Sequence, residues 1–244
     1  MTTWFASPQP SWDSAFILPT NIPATFNAQG VREVLKVSAG GKRVRLVFSN
    51  RYGKTPLLIG EVRIATSRQG SAIFSNTERL VTFDGRRSVT VPPGAPIVSD
   101  AIAFDLAPLT RMTVTTYFPE KTALTTLHWG DQQTAFTAEG NLNGAMEVAK
   151  NSTVKGRFFL SAMLVDAAPA TRTVVACGDS ITDGNGSTPD CNHRWPDFLA
   201  QRCAKANVAT ANAGISGARV LGDLMGENAM ARFDQDVLGQ PGVT

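Results

Sequence analysis

A serine near the middle of the chain is placed where its hydroxyl could act as a nucleophile. An apolar run, Arg172 to Cys177, predicts a short buried strand, and the residues after it, 178–184, place Ser180 in a turn bracketed by glycines. A serine hydroxyl is a weak nucleophile until a base removes its proton, so Ser180 would need a base within hydrogen-bond distance. The alternative is that Ser180 only caps or turns the chain.

A second glycine follows another short strand. The segment Val208 to Ala213 is predicted to be this strand, and Gly214 stands at its end. Ligand sites in open parallel sheets lie outside the carboxyl ends of the strands, so Ser180 and Gly214 are expected at the same edge. Backbone N–H groups there could bind the oxyanion of a tetrahedral intermediate. Alternatively, Gly214 serves only a tight turn between strand and helix.

These two turns carry a family resemblance. Gly178-Asp179-Ser180-Ile181-Thr182-Asp183-Gly184 resembles the first sequence block of the SGNH or GDSL hydrolases, and Asn212-Ala213-Gly214-Ile215-Ser216-Gly217 resembles the second. The resemblance implies a serine esterase with a Ser-His-Asp triad. It implies Ser180 as nucleophile, Gly214 as an oxyanion donor, and Asp179 as the residue that braces the nucleophile turn.

The same resemblance implies further parts that residues 1–244 lack. These are an oxyanion asparagine in a Gly-x-Asn-Asp block, and the triad aspartate and histidine in an Asp-x-x-His block. We therefore expect the catalytic His and Asp beyond residue 244, in a missing C-terminal part of the same protein, and expect the 244-residue chain alone to be inactive.

The two histidines offer no convincing replacement base. His128 stands beside Trp129 in a β-rich region and is interpreted as a structural or surface residue. His193 lies just before a predicted helix and could border the cleft, although a role as a polar loop residue is favoured.

No cofactor or metal is expected. The glycine-rich residues 178–186 lack the Gly-Lys-Ser/Thr of a phosphate loop, and the Asp, Cys and His residues at 190–203 lack the usual zinc spacings. The three cysteines, an odd number, do not indicate a disulfide framework, and a Cys191–Cys203 disulfide would require the loop to fold back. Cys177, at the end of an apolar strand, is expected to be a small buried hydrophobe.

Hydrophobic patterning divides the chain into two domains, 1–168 and 169–244. From about residue 30 to 166 apolar residues alternate with polar ones, as Val44, Leu46 and Phe48 do, which predicts half-buried strands. Many short strands separated by turn residues favour an antiparallel β-sandwich with jelly-roll topology. The expected fold is thus multi-domain, a β-sandwich followed by an α/β domain.

The second domain reads as strand, helix, strand, helix. Helices are predicted over Trp195–Ala206 and Val220–Phe233, and the near-continuous apolar strand Arg172 to Cys177 is typical of a parallel strand covered on both faces. Residues 242–244 look like the start of a third strand. This is the first βαβα part of a flavodoxin-like doubly wound SGNH hydrolase fold, incomplete at its C-terminus, because two parallel strands leave both edges unpaired.

Composition limits the partners. The chain has 23 Lys and Arg against 20 Asp and Glu, and the small excess is scattered, which argues against nucleic acid. No apolar run approaches the roughly 20 residues that a membrane-spanning helix needs. We expect an acyl ester substrate, an acetylated carbohydrate or a lipid, and a secreted or periplasmic location, with cytoplasmic as the alternative. The alternative function is a non-catalytic module that binds a carbohydrate or a protein.

Overall fold

An antiparallel β part is followed along the chain by a short α/β part. The computed structural model describes residues 1–13, 16, 18–149 and 153–243. No helix in these ranges has both the length and the hydropathy needed to cross a membrane. The strands are β1 Thr2–Phe5, β2 Gln9–Pro10, β3 Thr25–Phe26, β4 Gln29–Lys36, β5 Gly41–Ser49, β6 Leu57–Ile59, β7 Glu61–Thr66, β8 Arg79–Val81, β9 Val89–Val91, β10 Pro96–Val98, β11 Ile102–Leu106, β12 Arg111–Phe118, β13 Thr122–Ala123, β14 Thr126–His128, β15 Thr134–Glu139, β16 Thr153–Lys155, β17 Arg157–Phe158, β18 Leu160–Val165, β19 Arg172–Gly178 and β20 Val208–Gly214. The α-helices are α1 Ser180–Asp183, α2 Trp195–Cys203 and α3 Ala229–Phe233, with short 3₁₀ turns at Ser75–Thr77 and Ala204–Ala206 and a π turn at Asp234–Leu238.

The two largest antiparallel sheets of the β part share one hydrophobic core, and three smaller sheets have the orders β13-β3, β17-β14-β2 and β6-β9. Of the two largest sheets, one has the strand order β1-β18-β5-β10, with β11 also paired to β5, and the other has the order β16-β15-β4-β12-β7-β8. Val44, Leu46 and Phe48 of β5 are buried while Arg43 and Arg45 are exposed, as their alternation predicted. The β-rich N-terminal region is therefore confirmed, whereas the jelly-roll connection stays a prediction.

Two parallel strands organise the α/β part. β19 pairs with β20 in register from Arg172 and Val208 to Gly178 and Gly214. On the other edge of β19, Thr173 forms a parallel bridge with Val243, where a third strand was predicted; residue 244 lies outside the described residues. The first predicted helix is observed as α2 and the 3₁₀ turn that continues it.

The second predicted helix, Val220–Phe233, is wrong over most of its length. Only Ala229–Phe233 is α-helical, and it continues into the π turn. The preceding segment is an irregular loop whose Met225 carbonyl accepts hydrogen bonds from Gln9 Nε2 and Trp12 Nε1 of the β part, both at 3.1 Å. These bonds use a carbonyl that a helix would need for its own ladder, and glycines 222 and 226 lower the helix propensity further.

The environment of β19 also differs from expectation. Val174 is 44% exposed and Cys177 is exposed, whereas Val175 packs on a cluster that contains Phe5. Cys177 is therefore not a buried hydrophobe, because the described elements do not cover all of this strand. All three cysteines are free, so Cys191 and Cys203 form no disulfide.

The first strand joins the two parts. β1 pairs with β18 of the β part, and its Phe5 packs on Ala211 and Ala213 of β20. The Thr2 N–H donates to the Pro241 carbonyl at 2.8 Å. The β part thereby lies against the parallel strands and contributes to the edge at which Ser180 stands.

Candidate active site

Ser180 is the first residue of α1, immediately after β19. The preceding Asp179 is the N-cap, and its Oδ1 accepts the N–H of Ile181 at 3.0 Å, which fixes the turn. Gly178 is required for close packing, because a Cβ there would lie 2.2 Å from Thr182 Oγ1. Asp179, not Ser180, thus caps the helix, and the Ser180 side chain is free of that structural role.

The Ser180 hydroxyl lies at a cleft between the β part and the α/β part. The cleft has a volume of about 600 Å³. Ser180 is partly exposed, and its Oγ forms no hydrogen bond with any residue that the structure describes. Lining residues include Trp129, Gln132 and Lys155 from the β part and Asn185, Gly217 and Met225 from the α/β part. A substrate could therefore reach this hydroxyl and contact both parts.

Gly214 has a different role from the expected one. Its N–H donates to Asn212 Oδ1 at 2.9 Å, so it is not free to bind an oxyanion. A Cβ at Gly214 would lie 2.3 Å from the Asp183 backbone nitrogen. The absence of a side chain therefore allows β20 to pack directly on α1.

Gly217, which the sequence interpretation passed over, lies at the cleft with Ser180. Its φ of +73° favours glycine. Among the described residues, neither the Gly217 N–H nor the Ser180 N–H has a hydrogen-bond partner. Gly217 thus replaces Gly214 as the candidate second oxyanion donor. The sequence signal that could have identified Gly217 was the Ser216-Gly217 pair at the end of the second block.

A buried chain of hydrogen bonds runs behind the cleft. His128 Nδ1 lies 2.8 Å from the Ser7 carbonyl oxygen and Nε2 lies 3.0 Å from Asp183 Oδ1. Asp183 Oδ2 accepts the N–H of Ser216 at 3.0 Å and its Oγ–H at 2.7 Å. Because the carboxylate stands between the imidazole and the hydroxyl, this is not a catalytic triad: His128 does not reach the Ser216 proton.

Neither histidine is placed to activate Ser180. His128 is 4% exposed and has both ring nitrogens engaged, so of its two interpretations the structural one is observed. His193 is exposed and stacks on Phe198 with ring centroids 5.6 Å apart, and it does not line the cleft. Within the described ranges, no three metal-ligating side chains form a cluster.

The residues around Ser180 are similar to a known protein family. Residues 176–241 match the GDSL-like Lipase/Acylhydrolase family. This GDSL-like segment, residues 176–241, contains Ser180, Asp183 and the Ser216–Gly217 turn, so the similarity to the acylhydrolase family is confined to the part of the chain that carries the candidate site. The β part lies outside the match. Comparison with curated proteins found no match.

Arg232 holds the carboxyl ends of both strands of the GDSL-like segment. Its Nη1 donates to the Ala213 carbonyl at 2.7 Å and its Nη2 to the Gly178 carbonyl at 3.1 Å. Arg232 is 2% exposed, and Nη1 also binds Asp236 Oδ2 at 2.9 Å. Burial raises the pKa of Asp236, although the hydrogen bond and charge of Arg232 act in the opposite direction. Nothing in the local sequence pattern singled out this arginine.

Proposed function

We propose that the protein is a serine acylhydrolase that cleaves a small-molecule acyl ester, with Ser180 as its nucleophile. The observation that carries the proposal is the position of Ser180. Its hydroxyl, to which no described residue is hydrogen-bonded, lies in a turn fixed by Asp179, at a cleft of about 600 Å³, within the GDSL-like segment.

The chemistry is a two-step acyl transfer. Ser180 Oγ forms a bond to the ester carbonyl carbon while a base takes the hydroxyl proton, and the carbonyl oxygen becomes an oxyanion. The N–H groups of Ser180 and Gly217 bind this oxyanion. The C–O bond to the alcohol then breaks, the alcohol leaves with the proton from the base, and water releases the acid from the acyl-serine by the reverse sequence.

The base and the substrate are finer parts of the proposal. Neither histidine lies at the cleft, so the base and its carboxylate partner are proposed to lie outside residues 1–244. The cleft lining combines apolar side chains, such as Trp129, Val154 and Met225, with neutral polar ones and Lys155, so the proposed substrate is an ester that has both an apolar acyl group and a polar alcohol. A secreted or periplasmic location stays a prediction.

The test uses the intact protein and its Ser180→Ala variant. Hydrolysis of p-nitrophenyl acetate should fall by about 10³-fold or more, because only binding and oxyanion stabilisation remain. Ser187→Ala, in the same loop, is the matched control and should keep its activity. A fluorophosphonate probe should label residue 180 in the wild type and in the control only.

The result that overturns the proposal is full activity in the Ser180→Ala variant. Absence of both hydrolysis and labelling in every form, together with glycan binding that survives Ser180→Ala, would instead establish the non-catalytic binding module.

A further inference from the structure

The buried chain Ser7–His128–Asp183–Ser216 connects the β part to the cleft wall. Side-chain exposure along it is low, at 4% for His128, 1% for Asp183 and 6% for Ser216. His128 ends β14, whereas Asp183 ends α1, the helix that begins at Ser180. One residue of the β part is therefore linked through a single carboxylate to a backbone N–H on the opposite side of the cleft.

Both nitrogens of His128 face acceptors. The Ser7 carbonyl can only accept, and Asp183 Oδ1 faces Nε2 while its Oδ2 accepts from Ser216, which is the arrangement expected for a ring protonated on both nitrogens. Burial lowers the pKa of His128, but the charge and hydrogen bond of Asp183, with the charge of Asp131 and the Ser7 carbonyl, raise it more. The imidazolium and the carboxylate thus form a buried charge-assisted pair, which holds Asp183 in one orientation.

Two glycines leave α1 no room to shift. A Cβ at Gly130, whose φ is +101°, would lie 2.7 Å from Ser216 Oγ and 2.8 Å from Asp183 Oδ2. On the other side, Gly214 packs against the backbone of Asp183. Close packing of this kind transmits a side-chain change to the neighbouring backbone instead of absorbing it.

The contact of Asp183 with Ser216 bears directly on the oxyanion site. Ser216 immediately precedes Gly217, and its N–H and Oγ–H are both donated to one carboxylate oxygen. Gly217 lines the cleft, and the direction of its N–H depends on the orientation of this turn. A catalytic group displaced by 1 Å can cost about 10²-fold in rate, so the turn must be held firmly.

We propose that His128 is a positioning residue of the hydrolase site, which acts through Asp183 on the Ser216–Gly217 turn; this inference rests on the proposed function. The β part then contributes to the geometry of the oxyanion site through His128.

Two substitutions of the same residue separate positioning from stability. The side-chain amide nitrogen of asparagine lies near the position of His128 Nδ1, whereas that of glutamine lies near the position of Nε2. In the intact protein His128→Gln therefore keeps the donor to Asp183, whereas His128→Asn loses it. Both variants lose one buried hydrogen bond and the positive charge, so both melting temperatures should fall, that of His128→Asn further because Asp183 is left without this donor.

The kinetic readout is kcat and KM for p-nitrophenyl acetate. His128→Asn should lower kcat about ten- to a hundredfold with little change in KM, and His128→Gln should recover most of kcat. Ser38→Ala is the control: Ser38 Oγ links the Thr3 carbonyl at 2.7 Å to the Thr210 N–H at 2.9 Å, at the other end of β20. It should lower stability and leave kcat unchanged.

The second readout is independent of hydrolysis. In ¹⁵N-labelled protein, the amide resonances of Ser216 and Gly217 should move in His128→Asn and stay near their wild-type positions in His128→Gln and Ser38→Ala. If His128→Asn does not fold, Ser216→Ala removes one bond at the far end of the chain and should lower kcat and move the Gly217 amide.

Equal kcat in the two His128 variants, or loss of kcat in proportion to loss of stability in all variants including Ser38→Ala, would overturn the positioning role. An unchanged kcat and an unmoved Gly217 amide in Ser216→Ala would do the same. Activity that survives Ser180→Ala would overturn the proposed function itself, so the two failures are distinguishable.

Discussion

Glu33 provides a quantitative test of the charges inside the β part. Its side chain is fully buried on β4, and Oε1 accepts the Phe158 N–H at 3.0 Å. Among the described residues Oε2 has no partner, and neither do Nη1 and Nη2 of the nearby buried Arg157, whose Nε pairs with Asp131. An ionised Glu33 would be expected to bind those free guanidinium nitrogens. The geometry therefore fits a neutral carboxylic acid.

The pKa of Glu33 predicts how the free energy of unfolding depends on pH. Burial raises it from 4.5 to about 8, against the charge of Arg157 and the hydrogen bond from Phe158. Between these values the folded chain holds a proton that the unfolded chain has lost, so the free energy of unfolding falls as pH rises. The slope is about 1.4 kcal/mol per pH unit, or roughly 5 kcal/mol over the whole interval.

Glu33→Gln is the perturbation, because glutamine has the shape of the protonated acid and does not ionise. The free energy of unfolding of the variant, relative to wild type, should rise by roughly 2 to 3 kcal/mol between about pH 5 and about pH 7. Urea unfolding at several pH values measures it, with the exposed Glu139→Gln as control. A difference that is constant with pH, or that favours wild type increasingly as pH rises, would show that Glu33 is ionised and refute the reasoning.

Two further predictions concern the site. Gly214→Ala should destabilise the fold by more than about 2 kcal/mol in urea unfolding, because its Cβ would lie 2.3 Å from the Asp183 nitrogen; an unchanged midpoint would show that α1 can move away. His193→Ala should keep the esterase activity of the intact protein within about twofold, since this exposed side chain stacks on Phe198 and does not line the cleft. A loss of more than about a hundredfold would make His193 the base.

Local patterns predicted the elements that depend on local physics. Alternation predicted the buried face of β5, and the apolar run after residue 171 predicted that β19 is a strand but not that Val174 and Cys177 on it are exposed. The glycine-bracketed turn likewise predicted the position of Ser180. The helix predicted from Val220 failed because its first part is bound by Gln9 and Trp12, more than two hundred residues earlier in the chain.

The supporting groups of the site are long-range and could not be predicted in this way. His128 and Asp183 are 55 residues apart, and no spacing rule joins them. Gly214 and Gly217 are equally visible in sequence, but only the structure shows which N–H is already donated to a side chain. A glycine in the sequence indicates that the position needs space or an unusual φ. It does not indicate in which direction the N–H of that glycine points.

The contacts of β1 with both parts of the molecule limit where recombination can exchange the α/β part. Thr2 donates its N–H to Pro241 and its carbonyl accepts the Thr173 hydroxyl at 3.3 Å, while β1 itself belongs to the antiparallel sheet. Recombination that cuts the gene between Val165 and Arg172 would leave the parallel strands without the strand that packs on them. A chimera that exchanges the α/β part should therefore carry the matching Thr2–Phe5 sequence with it, so the unit of modular exchange is discontinuous along the chain.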